Sequence, residues 1–143
     1  MKFLIINGPN LNKLNLRDSK IYGDISLEKL EKIITEYCSS LSIKCSFFQS
    51  NIEGEIVDII QKSENDFDGI ILNAGGYTHT SVAIRDAVEF IKTPVIEVHL
   101  SNIASREEFR HKSLLTPVVD GVVMGMKHIS YLVAVDALKH KLS

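Results

Sequence analysis

The sequence predicts an α/β fold, because short apolar runs of strand length alternate with longer segments whose apolar residues recur at helical spacing. This alternation is typical of βαβ units, which put parallel strands into one sheet and helices on both of its faces. The run 69–72 is apolar throughout, as expected of a strand that is buried on both sides. A chain of 143 residues can bury such a core and fits one domain.

Five strands and five helices are expected along the chain. The strands are predicted over residues 2–7, 43–49, 69–73 and 121–124, and from Val95 after the turn Thr93-Pro94. Ser26 is expected to cap the first helix, and Thr80 or Ser81 the third, because a hydroxyl oxygen can accept a backbone N–H. The third helix should end near residue 92, and the others are predicted from about residue 53, over 106–111 and over 129–142.

Right-handed crossovers between parallel strands lead to a three-layer, flavodoxin-like arrangement with strand order 2-1-3-4-5. No linker, repeat or low-complexity tract divides the chain, so one domain is expected over residues 1–143. The segment 8–25 is longer than most loops of compact domains and has no periodicity. We therefore expect it to be an irregular lid over a site.

The composition argues against several classes of function. The net charge is −2 and no basic run occurs, which disfavours a nucleic-acid partner. We expect no signal peptide, because few apolar residues precede the polar segment 7–10, and no membrane span, because no apolar segment approaches roughly 18 residues. Cys38 and Cys45 form neither a CxxC motif nor a disulfide framework, so we expect buried free thiols in a cytoplasmic protein.

The segment 95–110 is the strongest candidate for a functional site. Glu97 and His99 are two residues apart, so on a strand their side chains point to the same face. Arg106 and Arg110 are four apart and would share one face of the predicted short helix. An acid and an imidazole at a strand end, followed by a Ser-Asn turn and two arginines, favour a site for a small anion. The alternative is a surface loop with ordinary charges.

The other strand ends carry similar polar side chains. Ligands of open parallel sheets bind beyond the carboxyl ends of the strands. The residues expected there are Asn7 to Asn10, Asn51 and Glu53, Asn73 to Ser81, His99 to Asn102, and Gly125. Arg17 also falls in a predicted loop on this side, and arginine suits the bidentate recognition of a carboxylate.

Cofactor and metal sites have weaker support from the motifs. The segment 8–12 matches neither the dinucleotide fingerprint nor the P-loop. Gly75-Gly76 either exposes backbone N–H groups at a helix start or forms a plain tight turn. His79, Glu97 and His99 could hold a metal ion, although the acid of a Glu-x-His pair on a strand more often orients the imidazole.

Covalent catalysis is disfavoured as well. Ser81 and Ser101 lack the GxSxG elbow of a serine nucleophile, and Lys127 is the single lysine in a strand-end turn. A site without a cofactor remains, with arginines, amides, one well-placed histidine and Tyr22 on the lid. Tyr22 could instead be a packing aromatic. Three further histidines are expected to face solvent: His111, His128 and His140.

Four blocks of the sequence resemble type II 3-dehydroquinate dehydratase, in order and with matching spacing over nearly the whole chain. The blocks are Ile6 to Asn12 with Arg17 and Tyr22-Gly23, Asn51 to Glu55, Asn73 to Ser81 with Arg85 to Ala87, and Glu97 to Asn102 through Arg110. The resemblance implies a flavodoxin-like hydro-lyase that converts 3-dehydroquinate to 3-dehydroshikimate without a cofactor or metal. The reaction belongs to the shikimate pathway, which leads to chorismate and the aromatic amino acids.

The resemblance also implies an anti elimination through an enolate, with a role for each of five residues. Tyr22 would act as a tyrosinate base that removes the proton alpha to the ketone, and Arg17 would stabilise the tyrosinate. Asn10 would hold a water molecule that stabilises the enolate. His99, oriented by Glu97, would protonate the departing hydroxyl.

Substrate binding and assembly are implied in the same way. The substrate-binding residues would be Asn73, His79, Leu100, Ser101, Arg106 and Arg110, together with Asp86 from a neighbouring subunit. Arg106 would also add a positive charge near the base. The family forms trimers that assemble into dodecamers, so a homo-oligomer is implied.

The chain departs from the usual family pattern at four places. Asn15 and Ser19 in the lid replace Gly and Pro, Ala74-Gly75-Gly76 replaces Pro-Gly-Ala, and Gly125-Met126-Lys127 replaces Gly-Phe-Gly. No catalytic position is replaced, so the departures concern lid mobility, substrate affinity and oligomer packing. From the fold pattern alone, the alternative function is a non-catalytic module that binds a small carboxylate or a nucleotide.

Overall fold

The computed structural model describes all residues from Met1 to Ser143. Its centre is a parallel sheet made of β1 (Lys2–Asn7), β2 (Lys44–Gln49), β3 (Gly69–Asn73), β4 (Val95–His99) and β5 (Gly121–Met124). The strand order is β2-β1-β3-β4-β5, and all four pairings are parallel. The predicted topology is confirmed.

Five α-helices accompany the strands: α1 (Ser19–Tyr22), α2 (Leu27–Ser40), α3 (Glu53–Ser63), α4 (Val82–Phe90) and α5 (Ile129–Leu142). Both predicted hydroxyl caps are present, since Ser26 accepts the N–H of Lys29 and Ser81 accepts the N–H of Ile84. Each cap satisfies an N–H group that a helix start would leave without a partner. None of these helices has the length and apolar character of a transmembrane segment.

Two apolar cores cover the two faces of the sheet, because successive side chains of a strand point in opposite directions. On β1, Phe3 and Ile5 pack with α2 and α5, whereas Leu4 and Ile6 pack with α3 and α4. None of these four side chains is more than 2% exposed. Burying one such side chain contributes about 1.5–3 kcal/mol relative to leaving it in water. Burial on both faces explains why the central strands are apolar runs in the sequence.

The segment 8–25 is more regular than predicted. A 3-10 helix spans Leu11–Leu16, and the single turn of α1 follows it. Leu11 and Leu14 are buried in the core, and the side chain of Asp18 caps α1 by accepting the N–H of Lys20. Each piece is only one or two turns long, so no apolar pattern could repeat often enough to indicate a helix.

The predicted helix over 106–111 is wrong. Two 3-10 helices, Ile103–Ser105 and Glu108–Arg110, take its place, and Arg106 lies between them with an extended backbone. The side chain of Asn102 accepts the N–H of Ala104, which begins a separate short turn after β4. Arg106 and Arg110 are therefore brought together by the path of a loop and not by one helical face.

The two thiols are free, as predicted, but they differ in burial. Cys38 is buried in the core, whereas Cys45 on β2 is only half-buried. Burial raises the pKa of the Cys38 thiol to about 12. Because the thiolate is the reactive form of cysteine, Cys38 is inert at neutral pH.

The carboxyl ends of β1 and β3 meet closely. The register pairs Asn7 with Asn73, and the N–H of Gly8 donates to the carbonyl of Asn73 at 2.8 Å. A Cβ at Gly8 would lie 2.5 Å from the carbonyl oxygen of Ala74, so this crossing requires glycine. The two strand ends are thereby fixed relative to each other.

The hydroxyl of Tyr131, on α5, links the same two strand ends by hydrogen bonds. It donates to Oδ1 of Asn7 at 2.6 Å and accepts from Nδ2 of Asn73 at 2.8 Å. Burial raises the pKa of Tyr131, which keeps the hydroxyl protonated and able to donate. All three side chains are at most 4% exposed, so each depends on the others for its hydrogen bonds.

Tyr131→Phe is expected to lower the free energy of unfolding by about 1–3 kcal/mol, because buried groups on Asn7 and Asn73 lose their partner. Denaturant unfolding measures the loss. Tyr37→Phe is the matched control, since the Tyr37 hydroxyl donates to Asp136 at 2.8 Å where water can replace it. Equal losses in the two variants would contradict the role of Tyr131 in joining the strand ends.

Candidate active site

A cleft lies beyond the carboxyl ends of β3 and β4 and encloses about 380 Å³, part of it open to solvent. Nine of the twelve site residues predicted from the sequence line it: Arg17, Tyr22, Asn73, His79, His99, Leu100, Ser101, Arg106 and Arg110. The remaining lining residues are Leu11, Gly75, Gly76 and Ile103. Strand ends and the segment 8–25 thus contribute to one site, as expected for an open parallel sheet.

Tyr22 lies between two guanidinium groups. Arg17 donates a hydrogen bond to the Tyr22 hydroxyl, and the guanidinium carbon of Arg17 lies 3.7 Å from the centre of the Tyr22 ring. The guanidinium carbon of Arg106 lies 4.9 Å from the same centre. Tyr22 is only 8% exposed, so little water screens the charges of Arg17 and Arg106 from its hydroxyl. The Tyr22 ring also packs in the apolar core. The alternative expectation, that Tyr22 is a packing aromatic, therefore describes part of its surroundings.

Three arginines share the cleft with one nearby carboxylate. Glu107 accepts a hydrogen bond from Nε of Arg110 at 2.9 Å and lies 3.6 Å from Nε of Arg106. Burial lowers the pKa of Arg17, and repulsion from Arg106 and Arg110 lowers it further, although Tyr22 opposes both effects. The terminal nitrogens of Arg110 have no partner in the chain. They can donate two parallel hydrogen bonds to a carboxylate.

Neutral donors and acceptors lie along the same cleft. The backbone N–H groups of Leu100 and Ser101 have no acceptor within the chain. Asn73 is held at both ends of its amide, by Tyr131 and by the N–H of Gly75 at 3.2 Å. Nδ1 of His79 lies 2.8 Å from the carbonyl oxygen of Lys112 and must donate to it, because a carbonyl only accepts. These groups can bind hydroxyls or a second anionic oxygen.

Glu97 and His99 form the predicted pair on one face of β4, with Nε2 of His99 2.7 Å from Oε1 of Glu97. Glu97 is fully buried, and it also accepts hydrogen bonds from Ser113 at 2.6 Å and Thr116 at 2.7 Å. Burial alone would raise the pKa of Glu97, but the hydrogen bonds from His99, Ser113 and Thr116 outweigh burial and lower it. Glu97 is therefore an ionised carboxylate behind His99 at neutral pH.

Three predicted site residues do not line the cleft: Glu97, which lies behind His99, and Asn10 and Asp86, which lie away from it. Asn10 is exposed, with a φ of 69°, and its N–H donates to the side chain of Asn51 at 3.0 Å. Its position in this turn lends no support to the predicted contact with an enolate-stabilising water. Asp86 lies on the exposed surface of α4 and pairs with Arg85 at 2.8 Å. Its contribution to a neighbouring subunit stays a prediction.

Several contacts at the site were missed in the sequence. Ser113 and Thr116 hold Glu97, and Nε2 of His111, which was expected only to face solvent, donates to the carbonyl of Arg106 at 2.7 Å. Small hydroxyl residues are common in loops, and the Ser-x-x-Thr spacing was the single signal available for them. His79, Glu97 and His99 do not form a group that could hold a metal ion.

Known proteins share this arrangement of sequence and fold. Residues 1–139 match the family model described as Dehydroquinase class II. The chain is 52% identical to the 3-dehydroquinate dehydratase of a Nitratiruptor species, over 96% of the chain and 88% of the relative. The chain belongs to the class II dehydroquinase family. This family consists of hydro-lyases, so the predicted enzyme class is confirmed.

Further similarities agree with membership of the dehydroquinase family. The 3-dehydroquinate dehydratase of a Sulfurovum species is 50% identical over the full chain and 88% of the relative. The crystal structure of type II dehydroquinase from Butyrivibrio crossotus superposes with a TM-score of 0.95 and 48% identity, covering 97% of each chain. Both the fold and the resemblance found in the sequence are confirmed.

The stability of this dehydroquinase in acid is expected to depend on Glu97. The pKa of Glu97 is lower in the folded protein than in the unfolded chain, where glutamate has a pKa of about 4.3. The ionised carboxylate therefore contributes stability that is complete above the unfolded pKa and is lost as the pH falls through the folded pKa.

Glu97→Gln should accordingly show a shallower loss of stability as the pH falls below about 5. Chemical unfolding at a series of pH values measures the slope. Glu36→Gln, at an exposed position of α2, should keep the slope of the unmodified protein. Parallel curves for Glu97→Gln and the unmodified protein would show that the Glu97 carboxylate is not the titrating group.

Proposed function

We propose that this dehydroquinase converts 3-dehydroquinate to 3-dehydroshikimate, a step of the shikimate pathway, by anti elimination through an enolate. One observation carries the proposal: a tyrosine bonded to a guanidinium and a histidine bonded to a buried carboxylate line the same cleft. An elimination needs a base for the carbon-bound proton and an acid for the departing hydroxyl. The two pairs can supply one each.

The substrate carboxylate is bound by Arg110 and by the free N–H groups of Leu100 and Ser101. Arg110 has two unpaired terminal nitrogens, and the planar guanidinium matches the two oxygens of a carboxylate. Asn73 and His79 bind the ring hydroxyls, for which an amide and an imidazole offer both donors and acceptors. Several contacts at once hold the ring in a single orientation between base and acid.

Tyr22 removes the proton alpha to the ketone. A tyrosine hydroxyl is almost fully protonated at neutral pH, so a tyrosine base requires positive charge beside its oxygen. Arg17 donates to that oxygen, and Arg106 lies over the same ring. Removal of the proton leaves an enolate, whose charge the donors that line the cleft can stabilise.

His99 then protonates the departing hydroxyl. The electron pair of the enolate forms the new carbon–carbon double bond, the carbon–oxygen bond breaks, and the oxygen leaves as water with the proton from His99. Glu97 keeps the imidazole oriented throughout. Tyr22 holds the proton taken from carbon, and proton exchange with solvent restores both residues. The balance of atoms requires neither a metal ion nor an imine.

Three further features belong to the same proposal. The segment 8–25, which carries Arg17 and Tyr22, closes as a lid over bound substrate and excludes water. Asp86 contributes to the site of a neighbouring copy within trimers that form a dodecamer. Asn10 contacts the enolate through water once substrate is bound.

A cytoplasmic location also stays a prediction.

Tyr22→Phe is expected to lower kcat by about 100- to 10,000-fold, the usual contribution of a general base. Turnover is measured by the absorbance of the conjugated enone product. Binding of a non-reactive carboxylate analogue should change little, because Tyr22 contributes to proton removal and the carboxylate is bound elsewhere. Tyr37→Phe, at a half-buried position of α2 that does not line the cleft, should keep full activity. An equally active Tyr22→Phe variant would mean that another group is the base.

Turnover is expected to survive a metal chelator and treatment with borohydride in the presence of substrate. Neither a metal nor a lysine imine takes part in the proposed elimination, so neither reagent has a target. Loss of activity with borohydride would exclude the enolate route in favour of an imine. If the purified protein bound carboxylates without turning over 3-dehydroquinate, the alternative of a non-catalytic binding module would be favoured.

A further inference from the structure

We propose that Ser113 and Thr116 are positioning residues that fix the tautomer of His99, so that Nδ1 is the nitrogen that gives its proton to the substrate. The identity of the substrate rests on the proposed function. The assignment of the His99 tautomer rests only on contacts within the chain.

Ser113 can donate to Glu97 but cannot accept from it. A hydroxyl has one proton and two acceptor positions. Both acceptor positions of the Ser113 oxygen are occupied, by the N–H groups of Leu115 and Thr116 at 3.1 Å each. The single hydroxyl proton of Ser113 therefore points to Oε1 of Glu97, 2.6 Å away.

Thr116 completes the set of donors around Glu97. Its Oγ1 lies 2.7 Å from Oε2 of Glu97 and has no other partner. A proton on Oε1 of Glu97 could not be accepted by Ser113, since the Ser113 oxygen has no free lone pair. The three contacts of Glu97 are best satisfied by an ionised carboxylate that accepts all of them, and the lowered pKa of Glu97 agrees with this state.

The charge of Glu97 determines which ring nitrogen of His99 carries a proton. Because an ionised carboxylate only accepts, Nε2 of His99 must carry a hydrogen in both its neutral and its charged form. Nδ1 has no partner in the chain. Two unpartnered polar side-chain atoms are fully buried, Asn7 Nδ2 and Thr78 Oγ1, and Nδ1 of His99 is not one of them. His99 lines the cleft, so Nδ1 is the nitrogen available to a ligand there.

The proton transfer is then defined at the level of atoms. In the imidazolium form the second proton is on Nδ1. This Nδ1–H bond breaks while the departing hydroxyl oxygen gains the proton and leaves with the electron pair of its bond to carbon. His99 is left neutral with its Nε2–H still bonded to Glu97, so the hydrogen bond that orients the ring is kept throughout.

The segment 112–116 fixes the other histidine of the cleft in the opposite tautomer. The carbonyl of Lys112 accepts from Nδ1 of His79, which leaves Nε2 of His79 free. The N–H of Leu114 donates to the carbonyl of Thr78 at 2.9 Å and attaches the segment to the loop between β3 and α4. One short segment thus determines which nitrogen each histidine offers to the cleft.

The tautomer is measured by NMR of protein labelled with ¹⁵N-histidine, with the His99 signals assigned by comparison with His99→Asn. In the unmodified protein at a pH where His99 is neutral, the ring shifts should show a proton on Nε2. Thr116→Val, which replaces the hydroxyl by a methyl group of similar size, should show a mixture of tautomers. Thr116→Ser keeps the hydroxyl and should restore the Nε2–H form.

The values of kcat and KM and the pH profile of kcat provide a second readout. A general loss of packing would not change these three quantities in the pattern expected here. Thr116→Val should lower kcat by up to about 100-fold, as expected when a reacting group is slightly misplaced, and leave KM nearly unchanged because Thr116 does not line the cleft. Glu97 loses a donor and is protonated at higher pH, so the acidic limb of the kcat profile should move to higher pH. His99 is the one titratable group among the hydrogen-bond partners of Glu97.

Thr35→Val is the matched control, because Thr35 is exposed on α2 and its hydroxyl contacts only the carbonyl of Glu31 and the thiol of Cys45. It should leave kcat, the pH profile and the tautomer unchanged. A proton on Nδ1 of His99 in the unmodified protein would overturn the proposal, and so would Thr116→Val with the kcat and tautomer of Thr116→Ser. If Thr116→Val failed to fold, the tautomer of the unmodified protein would still decide.

The two proposals fail in different ways. An Nε2–H tautomer in a protein without turnover on 3-dehydroquinate would support the positioning by Ser113 and Thr116 and reject the proposed reaction. Turnover with an Nδ1–H tautomer would support the reaction and reject the positioning.

Discussion

The parallel direction of the five strands is the constraint on which the rest of the molecule depends. All carboxyl ends lie at one edge of the sheet, so Asn73 and His99, which are distant in sequence, meet at one cleft. The hydrogen-bond ladder stops at this edge, and the N–H groups of Leu100 and Ser101 are left without acceptors. A polar site therefore follows from the fold, and segments 8–25 and 103–116 need only add charge to it.

The polar groups at this edge remain ordered because they are bonded to one another. A buried polar group without a partner costs about 1–3 kcal/mol, so the carboxylate of Glu97 and the hydroxyl of Tyr131 require complete sets of partners. Glu97 accepts three hydrogen bonds, whereas the amide nitrogen of Asn7 is a buried donor with none. The first network lies behind His99 and the second behind Asn73, so both fix side chains that line the cleft.

Much of this arrangement could be predicted from the sequence, because it follows from local periodicity. The apolar runs indicate all five strands, and β2 begins one residue later than expected. The spacing of two indicates that Glu97 and His99 share a face. Contacts between distant residues leave no such pattern: Ser113 is 16 residues from Glu97, and Tyr131 is 124 residues from Asn7. Such pairs are decided by tertiary packing, which periodicity does not describe.

The position of the Glu107 carboxylate gives the arginines of the cleft different surroundings. Arg17 is bonded to Tyr22 and to no acid, so its charge acts on the phenolic oxygen. Glu107 holds Nε of Arg110 and leaves its terminal nitrogens free, so Arg110 is oriented toward a ligand without being neutralised by a bidentate partner. The three guanidiniums outnumber the two nearby carboxylates, Glu107 and the buried Glu97 behind His99, so the cleft has an excess of positive charge, which a bound anion relieves. In the proposed reaction, the charges that attract a carboxylate also lie beside the proposed base, so binding and proton removal would share one electrostatic arrangement.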